Sequence, residues 1–247
     1  MDSITVFNDL QPIISLKALE KSGRVLKAFS LIYLPFHGLP LEELFEYYGT
    51  FAFVSASIYQ VDELNERGEE KSTPPLDEIR TFLLRRGLLD DSTAEHLNEG
   101  ELYLAFERRL RRESPQDLEE IVTAMKRSSS DFRLLHCLLH RFLEKPYCAS
   151  VFDAFASLEM LMEMDDDISS YEEDVAGNTF NFLRGLKLLR LSNVRETAES
   201  LRSRVICQIE EFSSTLPQPI SARYSASVET YLRLVPTPSV PTTIDRQ

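Results

Sequence analysis

Leu161-Met-Glu-Met-Asp-Asp-Asp-Ile-Ser-Ser-Tyr-Glu-Glu-Asp-Val-Ala-Gly-Asn-Thr-Phe-Asn181 is the stretch on which the reading of this chain turns. At about 100° per residue, Met160, Met164, Ile168, Tyr171 and Val175 stack along one side of a helix at spacings of four and three. That is the stripe of a helix facing a core. Glu159, Glu163, Ser170 and Asp174 fall within roughly 80° of Asp166 on the other side. One side therefore packs. The other presents oxygen donors on successive turns, which is how a helix assembles a site for a hard divalent cation such as Mg²⁺.

Outward from this helix, expected over about 148–176 with Gly177-Asn178 as its stop, nearly everything has helical period. Residues 9–34 predict two helices broken near Ser22-Gly23, and Pro35-Phe-His-Gly-Leu-Pro40 predicts a turn. From Leu41 to about Val61 the apolar residues include Phe51, Phe53, Val54, Ile58 and Tyr59, which would also suit a strand. Length and spacing decide for a buried helix. Lys71-Ser-Thr-Pro-Pro75 is a linker in which Ser72 or Thr73 caps the next helix. Further helices are expected near 75–87, 92–112, 115–128, 130–144, 179–191, 194–214 and 219–234. The expectation is an all-α, single-domain bundle of about ten helices over residues 1–234, followed by a disordered Pro-rich tail at 235–247.

Composition narrows the function. The 247 residues are 43% hydrophobic and 27% charged, ordinary for a globular protein that buries a substantial core. A net charge of −13 argues against a nucleic-acid partner, since phosphate neutralisation needs clustered Lys and Arg. An acidic protein still binds an anionic diphosphate when Mg²⁺ is the intermediary. Three cysteines, Cys137, Cys148 and Cys207, show no metal-finger spacing and fit a reduced, cytoplasmic setting. No leader with an apolar core is evident at the start, and no apolar run approaches the ~20 residues of a membrane span. A homodimer is compatible with the sequence.

The segment Asp166-Asp-Ile-Ser-Ser-Tyr-Glu-Glu-Asp174 resembles the second metal-binding motif of class I terpenoid synthases, Asn/Asp-Asp-Leu/Ile-x-Ser/Thr-x-x-x-Glu. A glycine and an asparagine commonly follow in that family, as Gly177 and Asn181 do here. The resemblance implies that Asp166, Ser170 and Asp174 chelate one Mg²⁺ from successive turns. Two departures stand out: Asp174 replaces the family's Glu, and Glu173 occupies a place that is often basic. A register one residue back, Asp165, Ser169 and Glu173, restores the Glu but loses the Ile and the Ser-Tyr pair. The family's other motif is an aspartate-rich sequence ending an earlier apolar helix, and Asp62-Glu-Leu-Asn-Glu66 has that shape. By resemblance Asp62 and Glu66 would hold the other two Mg²⁺ ions, with Asp62 and Asp166 central to the chemistry. Only 104 positions separate residues 62 and 166, so the chain would be a shortened member. The family's late Arg-Tyr pair is matched by Arg223-Tyr224, and Phe152 and Phe155 would floor an apolar pocket. The implied activity is Mg²⁺-dependent ionisation of a prenyl diphosphate to a terpene and diphosphate.

Other readings compete with this one. Squalene/phytoene synthase-type prenyl coupling uses similar acidic motifs. A catalytically silent helical protein that binds a partner or an apolar ligand also fits the weak first motif. His136 and His140 stand at i and i+4, the spacing of a helical metal clip, yet Leu135, Leu138 and Leu139 around them point to packing. The Arg108–Arg112 cluster is expected to pair with the chain's acids or to be solvated.

Overall fold

The structure, a computed structural model, describes residues 14–69, 75–110, 112–241 and 244. Among them are ten α-helices and no strand. In order they are α1 (Leu16–His37), α2 (Leu44–Glu66), α3 (Asp77–Arg85), α4 (Asp91–Leu110), α5 (Leu118–Ser128), α6 (Ser130–Phe142), α7 (Ala149–Gly177), α8 (Phe182–Leu188), α9 (Val194–Thr215) and α10 (Ile220–Leu234). A 3₁₀ turn, Leu41–Glu43, leads into α2. The all-α bundle expected from the periodicity is the fold. No described helix is long and apolar enough to cross a membrane.

α7 is the longest helix and the centre of the bundle, packed by α5, α6, α8 and α9, while α1 lies between α2 and α10 and α4 lies on α6. Met160, Met164, Ile168 and Tyr171 are buried as their spacing requires. Val175 is 44% exposed, because the last turns of α7 outrun their neighbours. Asn178 ends the helix in a left-handed conformation, its N–H bonded to the carbonyls of Asp174 and Val175. That C-cap geometry is common for glycine and tolerated by asparagine.

Two boundaries differ from the sequence reading. Residues 16–37 form one helix, not two. A Cβ added at Gly23 would meet nothing within 4 Å, so the glycine sits on the solvent side and costs only about 1 kcal/mol relative to alanine. Packing of Leu26, Phe29, Ile32 and Tyr33 outweighs that. The helix also runs through Pro35 to His37 before Gly38 stops it at φ 72°. The Ser72/Thr73 cap lies outside the described residues. The Pro-rich tail has no regular structure through residue 241, yet Val240 and Ile244 are 7% and 2% exposed and join the core.

Candidate functional site

A cavity of about 420 Å³ opens beside the acidic turns of α7. Its apolar lining comes from Val25 and Ala28 of α1, Ile58 of α2, Leu76, Leu104 of α4, Phe132 and Leu134 of α6, and Met162 of α7. The polar lining gathers Lys21 and Arg24 (α1), Tyr59 and Asp62 (α2), His96 and Tyr103 (α4), Ser128 (α5), Ser130 and Asp131 (α6), Glu163, Asp165, Asp166 and Ser169 (α7), and Tyr231 (α10). Asp62 and Asp166, far apart in sequence, thus line one cavity.

The chemistry centres on Lys21. Its ammonium lies 2.8 Å from Asp62 Oδ2 and 4.7 Å from the centre of the Tyr59 ring. Burial works against its charge, but Asp62, Glu66 and Glu163 more than offset that and hold Lys21 above the usual lysine range. The Tyr59 hydroxyl donates to Asp131, which also accepts from the Phe132 N–H at 2.7 Å. Burial raises the Asp131 carboxyl. Glu163 is pushed up to about 8, chiefly by burial and then by Asp131 and Asp166, so it carries a proton at neutral pH. The cavity therefore combines ionised and protonated carboxyl groups around one ammonium.

The first acidic motif is tied down by α1. Lys17 pairs with Glu66 at 3.1 Å, Lys21 pairs with Asp62, and the Ser15 hydroxyl donates to Glu63. Glu66 does not line the cavity. Lys17 and Lys21 are an i, i+4 cationic pair facing the i, i+4 acidic pair Asp62 and Glu66, a complementarity visible in the sequence once the two helices are known to be neighbours.

On α7 the two candidate registers part company. Asp165 is buried and accepts from Arg202 (2.7 and 3.2 Å) and from the Tyr231 hydroxyl (2.8 Å), while Ser169 donates to the Asp165 carbonyl. Asp166 is exposed and lines the cavity. Ser170 and Asp174 do not line it. Asp174 Oδ2 accepts from Ser170 Oγ (2.5 Å) and Asn181 Nδ2 (2.8 Å), and the Thr179 hydroxyl lies 3.3 Å from Oδ1. Asn181 in turn caps α8 through the N–H groups of Leu183 and Arg184. The asparagine of the motif thus anchors the α7–α8 corner. Of the trio Asp166, Ser170 and Asp174, only Asp166 lines the cavity, while Ser170 and Asp174 bond each other.

Arg223, Tyr224, Phe152 and Phe155 do not line this cavity. Tyr224 is fully buried, with its hydroxyl donated to the Ala154 carbonyl at 2.7 Å, and Arg223 is exposed next to it. Phe155 stacks on Tyr33, and Phe152 stacks on His136 and Tyr147. They build core, because that half of α7 is enclosed by α1 and α6. Glu159, on the acidic side of α7, is also core: it accepts from Tyr33 and at 2.9 Å from Arg133. As expected for the basic cluster, Arg109 pairs with Glu120, and Arg108 bonds Asn65.

No protein-family model, curated protein or solved structure matches the chain.

Proposed function

We propose that the cavity takes a prenyl diphosphate together with Mg²⁺, and that the protein ionises it in the manner of class I terpenoid synthases. The observation that carries this reading is the meeting of Asp62 from α2 and Asp166 from α7 on one cavity of about 420 Å³ that also has apolar lining. That volume lies within the roughly 300–1,000 Å³ of small-molecule pockets, and a lining that mixes charged and apolar side chains suits an amphiphile.

The donor set fits Mg²⁺, because carboxylate oxygens are the ligands a hard cation takes. Among the described residues no three carboxylates converge closely enough to hold an ion alone. That fits an ion that keeps waters and is completed by substrate phosphates, the usual arrangement for Mg²⁺. Asp62 and Asp166 would hold the metal, which supplies charge neutralisation of the leaving diphosphate. Lys21 and Arg24 add positive charge to the lining, and the protonated Glu163 donates rather than repels. Ile58, Phe132, Leu134 and Met162 exclude water from the hydrocarbon end.

The test is incubation with geranyl, farnesyl and geranylgeranyl diphosphates plus Mg²⁺, with released diphosphate and hydrocarbon measured. Asp166→Asn and Asp62→Asn are each expected to reduce release at least tenfold. No release from any substrate, with diphosphate binding unaltered in Asp166→Asn, sinks the reading.

A second reading is favoured by the internal partners already held by Asp62, Glu66, Asp165 and Asp174. In it the cavity binds an apolar ligand without chemistry. Tight binding of a prenyl alcohol with no diphosphate release would select it.

A further inference from the structure

At the far end of α1 a different set of side chains converges. His37 from the last turn of α1 meets His136 and His140 from α6, each offering a ring nitrogen with all three within 4.8 Å of one another. No other group of three metal-ligating side chains among the described residues meets that criterion. We propose that His37, His136 and His140 form a three-imidazole site for a divalent transition metal of the Zn²⁺ type, separate from the acidic cavity.

The arrangement has what such a site needs. His37 Nε2 and His136 Nε2 stand 2.9 Å apart. Tetrahedral Zn–N bonds of about 2.0–2.1 Å separate ligand nitrogens by about 3.3 Å, so the pair needs to open by less than half an ångström. His140 is oriented from outside: its Nδ1 lies 3.0 Å from the Pro146 carbonyl, to which it donates. That leaves the lone pair on Nε2, and an imidazole held through its other nitrogen by a carbonyl is the usual support for a metal ligand. The same Nε2 is buried with no hydrogen-bond partner, as is His136 Nδ1. Buried polar nitrogens without partners are uncommon and carry a desolvation cost.

The rings are also kept in the form that binds. Burial first, then the neighbouring charges, hold all three imidazoles below the usual histidine range, His37 at about 3. They are neutral at physiological pH, with lone pairs available. Phe36 and Phe152 enclose the trio. Imidazole donors in a dry aromatic surround select Zn²⁺, Cu²⁺, Ni²⁺ or Fe²⁺ over Mg²⁺ or Ca²⁺. Three protein ligands leave a fourth position for water or an anion.

Two cations, Lys145 and Arg223, oppose the ion. Lys145 Nζ lies 3.2 Å from His37 Nδ1. Metal on Nε2 puts the proton on Nδ1, facing the ammonium, so Lys145 must turn away. Removing this side chain is therefore expected to tighten metal binding, which distinguishes the site from adventitious coordination at the surface.

The experiment is titration of chelator-treated, untagged full-length protein with Co²⁺, read by the visible bands of tetrahedral Co²⁺, followed by displacement with Zn²⁺. Expected are one equivalent bound, at least tenfold weaker binding in His37→Gln and in His140→Gln, tighter binding in Lys145→Gln, and unchanged binding in Cys207→Ser and Asp166→Asn. Circular dichroism of each variant without metal checks that the helices persist, and the two glutamine variants back each other up. Absence of tetrahedral bands, or equal affinity in both glutamine variants and the wild type, overturns the proposal. Loss of binding in Asp166→Asn alone would place the metal in the acidic cavity instead and overturn it equally.

Discussion

Two polar constellations sit inside the same bundle and are built on opposite principles. The acidic cavity spreads Asp62, Asp131, Glu163 and Asp166 around an open volume and balances them with Lys21. The histidine trio draws three neutral rings to a point and walls them with aromatics. At about 1.5 Å per residue, Asp166 lies roughly 21 Å along α7 from Phe152 beside the trio. α1, α6 and α7 each contribute to both regions. The difference teaches what each can hold: dispersed oxygens suit a large ligand arriving with its own hard cation, whereas converged nitrogens suit a single softer ion.

Between the regions lies a strut, Glu159 with Arg133 and Tyr33, and cutting it is the strongest way to break the comparison. Arg133→Met leaves the fully buried Glu159 without its 2.9 Å partner. The expected loss is about 3–5 kcal/mol by urea denaturation, and both regions should lose order together. If only the cavity suffers, the two are independently supported.

Glu163 gives the next largest effect and acts on one region alone. Folded, it keeps its proton up to pH about 8, against an ordinary 4.5. The folded state therefore binds the proton more tightly, and this contribution to stability is lost as pH rises from 4.5 to 8. Glu163→Gln should make the protein more stable relative to wild type at pH 8 than at pH 5, by about 1–3 kcal/mol. Thermal unfolding at the two pH values measures it, and a parallel shift at both would refute the assignment.

Tyr33→Phe removes one donor from Glu159 but retains the ring stacked on Phe155 and edge-on to His136. A loss of about 1 kcal/mol is expected. Val175→Ser, at the exposed end of α7, should move stability by no more than about 0.5 kcal/mol. A large loss there would mean the end of α7 is covered by something not yet seen.

How much of this could be read from the chain depended on distance along it. The periodicity of residues 160–171 is local, and it placed the core side of α7 correctly. Asp166 at the cavity rim followed from the same geometry. Gly23 misled because a glycine on the solvent side of a helix looks in sequence like a glycine that breaks one. Glu159 misled in the other direction: it shares the acidic side of α7, but burial there is decided by α1 and α6. Lys21, Tyr59 and Asp131 became part of the site through tertiary neighbours alone. His136 and His140 are legible as an i, i+4 pair, whereas His37 is 99 positions from His136 and no local pattern links them. The tail shows the same limit, since nothing near Val240 and Ile244 in sequence signals the surface they cover.

The contact of Asp165 with Arg202 and Tyr231 has one more consequence. A helix packed by apolar residues can rotate about its axis by small amounts at little cost. Asp165 works as a key in a slot, since α9 and α10 grip it from one side and so set the angle of α7. Asp166, the next residue, inherits its aim from that grip. The bearing of the cavity rim is thus set in part by Arg202, which does not line the cavity, and drift in sequence there would retune the rim from outside it.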